Sequence, residues 1–143
     1  MTRLLWLGAA LVVLAGAGAL YVRFAESDPA RWHVDPLTRP STGRPNEARV
    51  MPEPPADLVS PVYAMSPAAL ADRLDAVIRA EPRTARLAGG PTEAFATYVQ
   101  RSALVGFPDY VSVRAVPVEG GAALAMWSRS RFGYDDLGVN RAR

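Results

Sequence analysis

Asp109-Tyr-Val-Ser-Val-Arg-Ala-Val-Pro-Val-Glu-Gly-Gly-Ala-Ala-Leu-Ala-Met-Trp-Ser-Arg-Ser-Arg-Phe132 is the stretch whose reading decides the fold. Its first half alternates, with Val111, Val113, Ala115 and Pro117 on one face and Tyr110, Ser112, Arg114, Val116 and Val118 on the other. Gly120-Gly121 is a turn signal, and Ala122 to Phe132 reads as the returning strand of an antiparallel hairpin. A tight turn there sets Ala115 opposite Met126, Val113 opposite Ser128 and Pro117 opposite Leu124, forming one apolar layer. On the reverse face Arg114 is expected to meet Trp127, Ser112 to meet Arg129 and Tyr110 to meet Arg131, with guanidinium groups stacked on rings. This register sends Arg129 and Arg131 to the wetter face and turns Ser128 and Ser130 inward.

Upstream, Ser66-Pro67 is a helix start: a hydroxyl N-cap, then a proline where the missing N–H is harmless. Leu70, Leu74, Val77 and Ile78 form the apolar stripe, Asp72, Arg73, Asp75 and Arg79 take the other face, and Pro82 ends the helix. Thr84 to Ala88 reads as a short strand closed by Gly89-Gly90-Pro91. Glu93-Ala-Phe-Ala96 is compatible with a helix, but Tyr98-Val99 favour a strand from about Ala96. The expectation for residues 66–143 is therefore an α+β domain, a small antiparallel sheet of about four strands packed against one main helix.

Nine of the thirteen prolines lie between Pro29 and Pro67. Proline removes donors and biases its predecessor toward extended backbone, so residues 25–65 are predicted to hold no regular helix and to form a proline-rich linker or strap. Trp32, Val50, Met51, Leu58 and Tyr63 are more apolar than a free linker needs, which favours strapping. Ahead of it, Leu4 to Val22 is an uncharged run between Arg3 and Arg23. As a helix it spans about 28 Å, enough for a bilayer core. Residues 1–24 are thus a membrane anchor or a signal segment. Ala15-Gly-Ala17 and Ala17-Gly-Ala19 offer small-residue cleavage sites, while the length favours an uncleaved single-pass anchor. A short tail ahead of a first apolar run usually stays inside, so the domain is placed on the periplasmic side of the inner membrane.

Composition removes several chemistries. There is no cysteine, hence no disulfide, thiolate metal site or thiol nucleophile, and all sixteen basic residues are arginine, so lysine chemistry is absent. Without Arg3 and Arg23, fourteen arginines face fourteen acids, and a neutral domain lacks the concentrated basic surface that nucleic acid requires. His33 is the single histidine, which argues against a metal site, and no cofactor is implied.

The carboxy-terminal run Ser128-Arg-Ser-Arg-Phe-Gly-Tyr-Asp-Asp-Leu-Gly-Val-Asn-Arg-Ala-Arg143 is dense in polar side chains. Gly133 is expected to bend the chain out of the strand, and Asp135 or Asp136 to cap a short helical turn carrying Leu137, Val139, Asn140 and Arg141. In one reading Arg129 and Arg131 hold Asp109, Asp135 or Asp136 in bidentate pairs, a structural lock. In the other, Arg129, Arg131 and Arg141 converge as an anion site beside that helix start, with Asp136 and Asn140.

Ser128-Arg-Ser-Arg-Phe-Gly-Tyr134, Asp136-Leu-Gly-Val-Asn-Arg141, Phe107-Pro-Asp-Tyr110 and Tyr98-Val-Gln-Arg-Ser102 together resemble the domain-of-unknown-function family 1499 (DUF1499) over about residues 44–143. The matching motif positions are Ser128, Arg129, Ser130, Gly133, Asp136, Gly138, Asn140 and Arg141. The resemblance implies a small α+β domain, commonly exported or membrane-linked, and brings no established activity or catalytic residue. Many relatives carry cysteines around the motif matched by Pro45-Asn46, so any redox role does not transfer. Relatives also continue into an amphipathic helix, which implies that the sheet surface it covers is open here or taken by a partner. Two functions remain. One is a non-catalytic membrane-anchored module binding a protein partner or an anionic lipid or envelope component. The other is a hydrolase using Ser128 or Ser130 with Asp135 or Asp136, weakened by the absence of a nearby histidine, lysine or cysteine.

Overall fold

A computed structural model describes residues 2–143; Met1 and its α-amino group lie outside the described residues. Helix α1 (Thr2–Phe24) is apolar on every side and none of its residues is buried, so it projects from the domain as a rod of about 34 Å. It is long and apolar enough to cross a membrane, and a signal sequence would meet the same description. A one-turn helix, α2 (Pro29–Trp32), follows. Asp28 caps it by accepting from the Ala30 N–H at 2.9 Å, with Pro29 in the first turn. The cap-then-proline signature that marks Ser66-Pro67 therefore recurs at Asp28-Pro29, and it corrects the expectation of no helix in the proline-rich segment.

That segment also supplies two strands, β1 (Glu47–Met51) and β2 (Leu58–Val59). Helix α3 (Pro67–Ala80), capped by Ser66, leads to β3 (Thr84–Gly90), β4 (Phe95–Arg101), β5 (Pro108–Val118) and β6 (Gly121–Ser130), and α4 (Val139–Ala142) closes the chain. The sheet has six strands, not four, in the order β2-β1-β6-β5-β4-β3, antiparallel except for the β1–β2 pair. The α+β class stands. The two uncounted strands escape the alternation test because prolines bound them: β1 fits between Pro45 and Pro52 with only five paired residues.

The β5–β6 register differs by two residues from the sequence expectation. The two-residue turn is Glu119-Gly120, so Val118 pairs with Gly121, Ala115 with Leu124, Val113 with Met126, Val111 with Ser128, Ser112 with Trp127 and Tyr110 with Arg129. Gly121 pairs within the strand, and glycine is required there because a Cβ would sit 2.0 Å from the Tyr63 carbonyl oxygen, where residues 63 and 122 bridge. Side chains alternate with period two, so an even slip preserves the face of every residue. The apolar layer accordingly faces α3 as expected. Leu70 and Ala71 pack with Ala115 and Ala122, and Ala96, Tyr98, Val111 and Val113 pack with Ile78, Leu124 and Met126. Val77, assigned to the stripe, is exposed instead. Asp75, assigned to the solvent face, accepts from the Tyr98 hydroxyl at 2.8 Å.

Candidate functional site

The sheet face opposite α3 is not wet. Residues 25–46 lie across it, and the side chains it buries are mostly aromatic or polar. Trp32 stacks on Tyr110 with ring centroids 4.0 Å apart and 9° between planes, and the Tyr110 hydroxyl lies 2.9 Å from Ser27 Oγ. His33 stacks on Phe95 and places Nδ1 2.9 Å from Thr97 Oγ1. From there a buried hydroxyl pair, Thr97–Ser112 at 3.0 Å, leads to Arg129, whose Nη1 donates to Ser112 Oγ at 3.1 Å.

Arg129 is 6 % exposed, which corrects its expected place on an open face. Its Nη1 also donates to the Trp127 carbonyl and its Nη2 to the Trp32 carbonyl, at 3.2 and 2.7 Å. The guanidinium lies 4.0 Å from the Trp127 ring centroid and 5.9 Å from that of Trp32. Arg49, also buried, approaches Trp127 at 5.4 Å, donates to the Pro36 carbonyl and leaves Nη1 without a partner. Among the described residues neither arginine has a carboxylate within ion-pair distance. Burial pushes the Arg129 guanidinium down to about 10 against the pull of Glu47, so it remains a cation at neutral pH. Nearby, Arg114 Nε comes within 3.0 Å of Asp35 Oδ2 but without hydrogen-bond alignment, so we read it as an ion pair only.

Beside this pair opens a cleft of about 710 Å³, lined by Arg31, Arg39, Arg44, Arg129 and Arg131 around Trp32 and Trp127. Glu47 is the one carboxylate in its lining, and it is already engaged. Its Oε1 accepts from Ser41 Oγ, the Thr42 N–H and the Gly43 N–H, and its Oε2 accepts from Trp127 Nε1 at 2.9 Å. Burial alone would raise the Glu47 pKa; hydrogen bonds from Ser41, Trp127 and Thr42 outweigh it and hold the group below its ordinary value of 4.5. A depressed folded-state pKa contributes stability that is complete above the unfolded value and is lost as pH falls through the folded one. Acid titration of the near-ultraviolet signal of Trp127 should therefore show a transition below pH 4.5 that Glu47→Gln abolishes.

The terminal motif sits on the other face, with α3. Ser128 and Ser130 do turn inward, but the arginines of the motif do not meet its aspartates as expected. Asn140, 1 % exposed, is the hub. Its Nδ2 donates to the Asn46 carbonyl, Ser130 Oγ and Asp136 Oδ2 at 3.1, 2.9 and 2.6 Å. Its Oδ1 accepts from Ser128 Oγ at 2.6 Å and Arg143 Nη1 at 2.7 Å. Asp136 caps the turn by accepting from the Asn140 N–H, and Asp135 accepts from the Leu137 N–H. Asp109 pairs with Arg143 at 3.0 Å and Arg141 with Asp57 at 2.6 Å. Gly133 and Gly138 take positive φ, and the Gly133 carbonyl accepts from Asn46 Nδ2 at 2.7 Å. Arg129 and Arg131 are thus brought together with each other, not with Arg141, Asp136 or Asn140. No hydrogen bond joins Ser128 or Ser130 to either of the two aspartates at 135 and 136; both serines answer to Asn140.

A family model described as a protein of unknown function, DUF1499, matches residues 37–143. The chain belongs to that family. No curated protein and no solved structure matches it. The matched region of this DUF1499 chain begins within the covering segment, includes β1, and ends on the Asn140 cluster. Sequence reasoning missed Glu47, Arg49, Asp57 and Arg143 and the cleft arginines Arg31, Arg39 and Arg44. The Asp28-Pro29 cap was the one local signal that could have placed Trp32 and Arg31 against the sheet.

Proposed function

We propose that this DUF1499 protein is a membrane-anchored, non-catalytic module that holds an anionic ligand in the cleft between the covering segment and the sheet. The domain stands on the periplasmic side of the inner membrane, and the ligand is an anionic lipid or envelope component, or an acidic group on a protein partner. The observation that carries the reading is charge without compensation. Five arginines line the cleft against one carboxylate whose oxygens are already occupied. Burying a guanidinium costs several kcal/mol unless an anion meets it, and a planar fork of donors suits carboxylate or phosphate. Arg129 and Arg131 are the motif residues of this site, while Asn140, Asp136, Ser128, Ser130, Gly133 and Gly138 hold the tail. The volume lies in the range of small-molecule sites.

Calorimetric titration of the full chain with inorganic pyrophosphate tests the site. Arg39 and Arg44 are exposed, so Arg39→Gln/Arg44→Gln should leave melting unchanged. Each lost charge-assisted hydrogen bond is worth about 1.5–3 kcal/mol, so affinity should fall at least about tenfold. Equal affinity in the variant contradicts the reading. A reporter active only in the periplasm, fused after Asp28, should be active; a silent fusion reverses the orientation.

A further inference from the structure

The anchor does not hand the domain over to a free linker. Its last turn is tied to one end of the sheet. Arg101, the last residue of β4, donates from Nη1 to the Arg23 carbonyl at 3.0 Å and from Nη2 to the Ala25 carbonyl at 2.9 Å. Arg131 donates to the Glu26 carbonyl at 2.6 Å. Gly106 approaches so closely that a Cβ there would stand 3.3 Å from the Arg23 side chain. Tyr21, inside the apolar run, meets Phe132 edge-on at 6.1 Å, and Phe132 meets Phe107 at 6.2 Å.

These contacts fix a depth. Tyr21 lies two residues, about 3 Å, before Arg23, where the apolar run ends, so Phe132 and Phe107 stand level with that end. Aromatic rings concentrate at this level because they have an apolar body and tolerate a polar surround. Leu104, at the tip of the 102–107 loop, is 91 % exposed, and Phe107 is also exposed. The base of that loop is closed by its own hydrogen bonds. Ser102 Oγ accepts from the Gly106 and Phe107 N–H groups, the Ser102 N–H donates to the Phe107 carbonyl, and Arg101 Nη1 donates to the Gly106 carbonyl at 3.0 Å. A loop pinned at its base and presenting a leucine at its tip can lower that side chain into the interfacial zone, where the backbone groups of residues 103–105 still meet water and headgroups.

We infer that the 102–107 loop docks into the bilayer surface that α1 enters, with Leu104 inserted and the Phe107–Phe132 pair at the interface, so that the domain is held flat against the membrane. The inference rests on the anchor reading of α1, and its occupant is the bilayer because the loop packs on the last turn of the helix that enters it.

The chain has no cysteine, so single cysteines carrying an environment-sensitive fluorophore can be placed at will. The full chain is reconstituted in vesicles of phosphatidylcholine and phosphatidylglycerol with acyl-chain spin labels as quenchers. Val12→Cys reports the span, Leu104→Cys the loop, and Glu119→Cys the opposite end of the β5–β6 hairpin, about 30 Å away. All three positions are exposed, so these replacements leave the core untouched. The expected result is loss of emission at 12 and at 104, and none at 119. Quenching at 12 with an unquenched 104 overturns the docking and leaves the anchor standing. An unquenched 12 overturns the anchor reading and the docking with it. A shielded but unquenched 104 marks a protein contact and also overturns the inference.

Discussion

Asn140→Asp should be among the most damaging single changes in this protein, although it exchanges one NH₂ for one oxygen. The two N–H groups of the amide, one of them shared, now serve the Asn46 carbonyl, Ser130 Oγ and the Asp136 carboxylate. The substitution would set a second carboxylate where Nδ2 lies 2.6 Å from Asp136 Oδ2, in a site almost closed to water. Loss of a satisfied buried network and like-charge crowding together should cost about 3–5 kcal/mol. For a domain of this size that lowers the melting temperature by on the order of 15 °C. The loss has a signature that mere misfit lacks. Two adjacent carboxyl groups share a proton when the pH allows it, so the deficit should shrink on acidification toward pH 4–5. A pH-independent deficit would show that the hub acts through shape alone.

Arg129 gives the second large effect, and a contrast between two variants. Arg129→Ala empties the space between the two indoles and strips the Trp32 carbonyl and Ser112 Oγ of a donor, for about 3–4 kcal/mol. Arg129→Met keeps most of the volume and removes a buried charge that no carboxylate touches, so much of that loss should be recovered. Both should bind pyrophosphate far more weakly. Stability and ligand binding thus separate in the methionine variant, and chemical denaturation alongside calorimetry measures both. Equal destabilisation by alanine and methionine would mean that the hydrogen bonds of Arg129, not its packing, hold the covering segment.

Much of the fold was legible because its signals are local. Ser66-Pro67 and the stripe beginning at Leu70 define α3 within a few residues, and the alternation of Val111, Val113 and Ala115 defines both β5 and its buried face. The turn was legible as a turn but not in phase. Glu119-Gly120 and Gly120-Gly121 are both acceptable turn pairs, and the choice is made by the Tyr63 backbone, far away in sequence. The alternation alone excludes one of the expected pairings. Asp109 shares its face with Val111 and Ser128, so Arg129 and Arg131, on the reverse face, could not have been its partners.

The burial of Arg129 lay beyond any local pattern. It depends on Trp32, nearly one hundred positions upstream, being set over Tyr110 by a one-turn helix in a proline-rich segment. A comparable distance in sequence separates the cleft arginines Arg31, Arg39 and Arg44 from the motif that carries Arg129 and Arg131. A neutral overall charge concealed them, because neutrality summed over the domain says nothing of where the unmatched arginines gather.

Trp32 and Trp127 both line the cleft, and Trp6 is the third tryptophan of the chain. Titrating the full-length Trp6→Phe protein with inorganic pyrophosphate and following tryptophan emission therefore reads the cleft directly. The account predicts a saturable change that weakens as salt is added and disappears in Arg129→Met. Emission that does not respond to the anion, or that responds identically in Arg129→Met, would contradict it.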